Sequence, residues 1–291
     1  MGENGNNKTA VKNKCDVCFR GCELAEGQVG VCLSRVGTAD GVRPLGYGQI
    51  TSLALDPIEK KPLNRYFPGS LIVSVGSYGC NLKCPFCQNV SISLADGRAV
   101  PETEYVSPEQ LCAIAEKYVP QGNIGVAFTY NEPLVSYEYV RDSAKLVHAA
   151  GLKNVLVTNG SASARVLEEL RPYVDAMNID LKCFNAEYYA KVLKGDFEAT
   201  KTFIEKALEF SHVELTTLII PGENDSEEEM RALSSWVHTL EMKYKKEIPL
   251  HISRFFPRSD YSDRQPTPVE TVYRLAEVAR KKLKHVYEGN C

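Results

Sequence analysis

No stretch of this 291-residue chain approaches the roughly 18 uninterrupted apolar residues that a membrane span needs. The opening "MGENGNNKTAVKNK" has no apolar core of the kind a secretory signal carries. With Asn6 in the sixth position, Gly2 lacks the Ser or Thr that a myristoylation pattern requires. Excess positive charge is missing too: the formal net charge is -3, which excludes a global basic field drawing in nucleic acid or anionic membrane. These absences predict a soluble, cytoplasmic protein with neither nucleic acid nor membrane as a partner.

At 44% hydrophobic and 24% charged residues, the chain can bury one large domain with an appendage, or two domains. Cysteine is abundant, at ten residues, and in a reducing compartment that points to metal or redox chemistry rather than disulfides. Seven of the ten fall into two groups: Cys15, Cys18, Cys22 and Cys32, then Cys80, Cys84 and Cys87. Cys112, Cys183 and Cys291 are scattered, and Cys112 in the helical pattern "PEQLCAIAEKYV" reads as core filler.

From residue 71 onward, short β-branched runs alternate with amphipathic segments. The runs are "LIVSVG", "IGVAFTY", "NVLVTNG", "AMNIDLK", "VELTTLIIPG" and "PLHISRFFP". In "LVSYEYVRDSAKLVHAAG", Val140, Ala144 and Val147 share one helix face, and Gly151 marks the stop. Such alternation builds a parallel sheet. Six units predict an α/β fold, a partial (β/α)6 TIM-type barrel over residues 71–291, preceded by a small Cys-rich N-terminal subdomain and linker over residues 1–70. Barrels of this kind carry their chemistry at the C-terminal strand ends. The predicted strands carry Thr129-Tyr130-Asn131-Glu132, Thr158-Asn159-Gly160, Asp180 and Lys182, then Glu214, Thr216 and Thr217, and finally His251 and Arg254.

The first strand runs into "GSYGCNLKCPFCQN", with three cysteines and no fourth close behind. An iron–sulfur cubane ordinarily takes four thiolates. Three leave one iron open to a substrate or cofactor, as catalytic zinc sites keep one position free. Zinc with a distant fourth ligand is the alternative.

The spacing Cys-x3-Cys-x2-Cys, with Phe86 before its last cysteine and Asn89 two after it, resembles the signature of radical S-adenosylmethionine (SAM) enzymes. Within that superfamily the chain is similar to the pyruvate formate-lyase activating enzyme branch, and most to the AmmeMemoRadiSam group, whose members share a cysteine-rich start and a stretch like "DPIEKKPLNRYFPGS". The resemblance implies a [4Fe-4S] cluster on Cys80, Cys84 and Cys87, SAM on the open iron, and cleavage to a 5'-deoxyadenosyl radical that abstracts hydrogen from a substrate. By the same resemblance Phe86 contacts the adenine and Asn89 positions SAM. Asn131 and Glu132 form the turn that holds the methionyl ammonium, although "TYNEP" departs from the usual glycine pair. Thr158 and Asn159 lie near the sulfonium and carboxylate, Asp180 and Lys182 bind the amino acid end and ribose side, and His251 binds the ribose. A barrel-mouth salt bridge is the alternative for Asp180 and Lys182.

Cys15, Cys18, Cys22 and Cys32 supply four thiolates, which suits structural zinc or an auxiliary iron–sulfur cluster. Glu59, Lys60 and Lys61 read either as solvated linker or as a rim over the cluster, with a lysine meeting an anionic substrate group. The segment "RFFPRSDYSDRQPTP", with Arg254, Arg258, Asp260 and Tyr261, reads as a substrate lid. Two enzymatic readings follow: radical chemistry on a small molecule or peptide, or activation of a partner enzyme by installing a glycyl radical. A metal-stabilised scaffold is the non-catalytic reading. An electron donor such as flavodoxin or ferredoxin is implied, and the group resemblance adds Memo-like and AMMECR-like partner proteins.

Overall fold

Each of the six apolar runs is a strand, because β-branched residues suit a pleated, buried surface. The computed structural model describes residues 12–94 and 99–291, and the Gly2 pattern lies outside them. The sheet has eight strands in chain order: β1 (Ser52–Pro57), β2 (Leu71–Gly76), β3 (Asn123–Phe128), β4 (Lys153–Thr158), β5 (Ala176–Asp180), β6 (His212–Ile219), β7 (Leu250–Arg254) and β8 (Val286–Gly289). From β2 to β8 all neighbours are parallel, while β1 runs antiparallel along β2. Edge strands β1 and β8 do not pair with each other, so the barrel is partial.

The predicted boundary at residue 70 falls inside this sheet. Pro57 pairs with Leu71 and Ser52 with Gly76, so the barrel sheet already begins at residue 52. Nor is "DPIEKKPLNRYFPGS" a solvated linker. Its Ile58 and Leu63 are fully buried with Ile72, Ala127, Val155 and Ala176, one inward residue from each of four strands. The backbone N–H groups of Asn64 and Arg65 donate to the Glu214 carboxylate at 3.0 and 2.8 Å, and Asn178 Nδ2 donates to the Pro62 carbonyl. The segment therefore fills the interior that six strands alone leave open.

Helices α1 (Pro108–Lys117), α2 (Tyr137–Ala149), α3 (Ala164–Leu170), α4 (Phe197–Leu208), α5 (Glu227–Tyr244) and α6 (Val269–Arg280) cover the sheet. Val140, Ala144 and Val147 of α2 are buried as their spacing predicts, and Gly151 follows at φ +76°. Cys112 on α1 is half-buried against the main core, which fits its reading as filler. Before β1, the cysteine-rich segment forms two hairpins, Lys12–Lys14 with Glu23–Ala25 and Arg35–Thr38 with Gly41–Pro44.

Candidate functional site

Side chains alternate along a strand, so the inward positions of Ala127, Val155 and Ala176 continue as Thr129, Val157 and Asp180 near the C-terminal strand ends. Those three residues line one cavity of about 250 Å³, and Cys80, Cys84 and Cys87 line it as well. Phe86, Asn89, Asn131, Glu132, Thr158, Asn159 and Lys182 complete the part of its wall that the motif reading singles out.

The cysteine loop is held from several sides. Asn131 Oδ1 accepts from the Ser77 N–H at 3.0 Å, and Asn131 Nδ2 donates to the Gly79 carbonyl at 3.1 Å. That amide thus supports the loop backbone first. Asn89 Nδ2 donates to the Tyr130 carbonyl at 2.7 Å, tying the end of the loop to the turn after β3. Tyr130 itself sits at φ +72°, a conformation costly for a non-glycine residue and found where surrounding contacts overdetermine it. Phe86 is buried, with Tyr261 ring at 6.1 Å, and the Tyr261 N–H donates to the Pro85 carbonyl. The segment after β7 therefore packs on the cysteine loop where a lid was expected.

Glu132 is 3% exposed and its carboxylate accepts from Thr158 Oγ1 at 2.8 Å, the Asn159 N–H at 2.8 Å and the Leu134 N–H at 3.1 Å. Burial pushes its pKa up to about 7, against those three hydrogen bonds. Lys182 Nζ and Asp180 Oδ2 are 2.7 Å apart, the salt bridge named above as the alternative reading, and both partners also face the cavity. Burial pushes the Cys80 thiol well above its ordinary range and Cys84 to about 12. Without a metal these thiols keep their protons, and binding a metal releases them.

His251 does not join this wall. It lies low on β7, where its Nε2 meets Glu214 Oε2 at 2.7 Å and its ring stacks on Tyr287. Glu214 is third in its strand, fully buried, and also bonds His212. The assignment of His251 to ribose is therefore corrected: Glu214 and His251 are an interior polar cluster, because both precede the strand ends. Arg254 does reach the end of β7, where it donates to the Thr267 carbonyl. Cys183 is buried with its thiol toward the Asn185 carbonyl, and Cys291 is exposed.

Sequence reasoning passed over Asp56 and Asn81. Asp56 binds Lys61 at 2.9 Å, Lys60 at 3.2 Å and the Tyr130 hydroxyl at 2.7 Å. One carboxylate faces two ammonium groups, so the rim of the cavity beside β1 retains one positive charge. Only the pairing of β1 with β2 brings Asp56 there, and no local pattern announces it.

Among the described residues, no three His, Cys, Asp or Glu side chains converge as ligands of a single ion do. The three cysteines instead ring a cavity, as a larger inorganic cluster requires, and that donor set fits a cubane with one iron left open.

The Radical SAM superfamily model matches residues 74–233, from β2 into α5. The chain belongs to the radical SAM superfamily. It is a radical SAM enzyme, and the family implies a [4Fe-4S] cluster, SAM and a reductant such as flavodoxin or ferredoxin. Over 281 residues it is 37% identical to an uncharacterised protein of Methanocaldococcus jannaschii, which covers 96% of this chain and 81% of that protein. It is also 26% identical over 181 residues to the GTP 3',8-cyclase of Pseudomonas putida, covering 60% of this chain and 52% of the cyclase. The chain thus matches about half the length of that curated relative. Among solved structures, Streptococcus suis SuiB bound to S-adenosylmethionine has a TM-score of 0.56 at 14% identity, over 74% of this chain and 48% of SuiB. HydG, a maturase of the [FeFe]-hydrogenase, has a TM-score of 0.55 at 15% identity, over 72% and 48%. At those identities the likeness is one of fold. No helix among the described residues is long and apolar enough to cross a membrane.

Proposed function

We propose that this radical SAM enzyme generates a 5'-deoxyadenosyl radical that removes hydrogen from a small molecule or a peptide side chain carrying an anionic group. Bound to Cys80, Cys84 and Cys87, the cluster supplies the electron that breaks the carbon–sulfur bond of SAM. The observation that carries the reading is the shared wall: three thiols, a buried acid, a half-buried lysine and an aromatic ring line one cavity.

SAM presents an ammonium, a carboxylate, ribose hydroxyls and an adenine, and the wall offers a partner to each kind of group. Glu132, fixed by three donors, would accept from the ammonium. Lys182 would meet the carboxylate, with Asp180 holding its charge in place. Thr158 and Asn159 would shape the floor beside the sulfonium, Asn89 would orient the bound molecule, and Phe86 would cover the adenine. Asn131 would act on the loop backbone rather than on SAM. The net positive rim made by Lys60, Lys61 and Asp56 supports an anionic substrate group.

The finer family reading is the AmmeMemoRadiSam group, supported by the cysteine-rich start and the "DPIEKKPLNRYFPGS" segment, with Memo-like and AMMECR-like proteins as partners. Four thiolates at Cys15, Cys18, Cys22 and Cys32 give the same protein a second metal site.

The test is anaerobic reconstitution followed by dithionite and SAM, with 5'-deoxyadenosine as the readout. The Cys80→Ala/Cys84→Ala/Cys87→Ala variant is expected to form none. Undiminished product from that variant would refute the assignment.

A further inference from the structure

A second cavity lies at the end of the barrel where β6 and β7 begin, away from the three cysteines. Its volume is about 470 Å³, larger than the cavity that the cysteines line, and the two share no lining residue. The chain explains its position. His212 is the first residue of β6, Pro249 directly precedes β7, and Arg65 comes from the segment that plugs the barrel interior.

Three lining side chains, Arg65, His212 and Lys246, can carry positive charge, and one, Glu247, carries negative charge. Glu247 is engaged elsewhere: one carboxylate oxygen meets Lys284 at 2.6 Å and the other meets His285 at 2.9 Å. The cations have no such counter-charge. The Arg65 backbone N–H is fixed on Glu214 at 2.8 Å, but its guanidinium forms no hydrogen bond or ion pair with any described residue. Lys246 Nζ donates to the Leu208 and Ser211 carbonyls, which carry only partial charge at the C-terminal end of α4. His212 turns Nε2 to Glu214 at 2.9 Å. Glu209, next to Leu208 in the chain, pairs with Arg171. Two permanent cations thus line one cavity with no acid to balance them, and a cleft of one charge sign concentrates the opposite ion. The rest of the wall is mostly apolar, with Leu208, Phe210, Val213 and Pro249.

We propose that this cavity binds a small phosphate monoester, with its phosphate on Arg65 and Lys246 and its organic part against Phe210 and the neighbouring apolar wall. Charge selects phosphate over carboxylate. Two unbalanced cations match a group that carries about −1.5 to −2 at neutral pH, whereas a carboxylate leaves one of them unpaired. The planar guanidinium of Arg65 also presents paired donors to phosphate oxygens. Size selects an ester over inorganic phosphate, because a cavity of this volume is in the range that holds metabolite-sized ligands. The site is independent of the cysteine cavity, so its failure leaves the radical SAM reading as it stands.

The experiment is isothermal titration calorimetry on the full chain, reconstituted anaerobically, with phenyl phosphate and AMP as probes, adenosine as the phosphate-free control and inorganic phosphate as competitor. Saturable binding of the two esters is expected, weakened by inorganic phosphate and reduced about tenfold or more in Arg65→Glu. Because the Arg65 side chain bonds to no described residue, that variant is expected to keep the iron content and melting temperature of wild type. Should it unfold, Arg65→Gln takes its place with the same direction expected. Failure of both esters to bind, or equal affinity in wild type and variant, overturns the proposal. Adenosine binding as tightly as AMP, or esters binding no tighter than inorganic phosphate, overturns it as well. AMP displaced by SAM and untouched by the Arg65 substitution has bound at the cysteine cavity, which also counts against the second site.

Discussion

Lys182 Nζ stands 2.7 Å from Asp180 Oδ2 on the cavity wall that three cysteines share. Burial opposes the charge on Lys182, yet the adjacent Asp180 carboxylate raises its pKa above the ordinary range. Removing one partner strands the other's charge, and both side chains keep some solvent contact, which moderates the cost. Lys182→Met is expected to lower stability by about 1–3 kcal/mol, and Asp180→Asn on that background to recover part of it. Urea denaturation of the three proteins checks this. A double variant weaker than Lys182→Met would show that the two residues do not act as a pair.

Glu132 is bracketed by Thr158, Asn159 and Leu134, yet it still faces the cavity. A charge-assisted contact with the ammonium of SAM contributes on the order of 1.5–3 kcal/mol. Glu132→Gln is therefore expected to raise the SAM dissociation constant roughly ten- to a hundredfold at unchanged iron content. Anaerobic equilibrium binding gives the answer. Affinity within about twofold of wild type would make Glu132 a brace for the turn and nothing more.

Gly79 has φ +88°, and a Cβ there would lie 2.2 Å from Ser34 Oγ and 2.4 Å from the Cys32 carbonyl oxygen. The Ser34 hydroxyl could rotate away, but the Cys32 backbone has no such freedom. Gly79→Ala is expected to cost more than about 2 kcal/mol and to loosen the N-terminal segment from the cysteine loop. Calorimetry together with proteolysis between residues 12 and 45 measures both effects. An unchanged melting temperature would mean the two loops are not in register.

Glu214 holds a pKa of about 2, below its ordinary 4.5, because hydrogen bonds from His212, His251 and the Arg65 N–H outweigh the burial that opposes them. A carboxylate depressed on folding binds fewer protons in the native state than in the unfolded one. Its contribution, on the order of 3 kcal/mol, is full above about pH 4.5 and lost as pH falls toward about 2. The stability gap between wild type and Glu214→Gln should shrink over that window. A gap independent of pH would show that charge on Glu214 is not what the interior cluster stabilises.

Six strands, the α2 face and the three-cysteine motif were all legible along the chain, because each depends on spacing over a few residues. Val140, Ala144 and Val147 bury as a period of 3.6 requires, and the motif needs only one loop. The chemical residues after β3, β4 and β5 were legible for a similar reason: polar groups directly after an apolar run stand at a strand end, and in a parallel barrel those ends meet.

Contacts between distant segments were decided only in three dimensions. The antiparallel pairing of β1 with β2 carries Asp56 and Lys61 to the cavity and turns a charged stretch into a barrel plug, and nothing within residues 52–70 specifies that partner. His251 was misplaced because its strand was recognised without its register: it pairs with Thr216, three residues short of the end of β6, and so meets Glu214 instead of the open cavity. The meeting of Cys18 with Asn81 depends on loops some 60 residues apart in the chain. Local composition determined which residues could do chemistry; the register and closure of the sheet decided which of them face one another, since a side chain's direction follows its neighbours within a strand but its company does not.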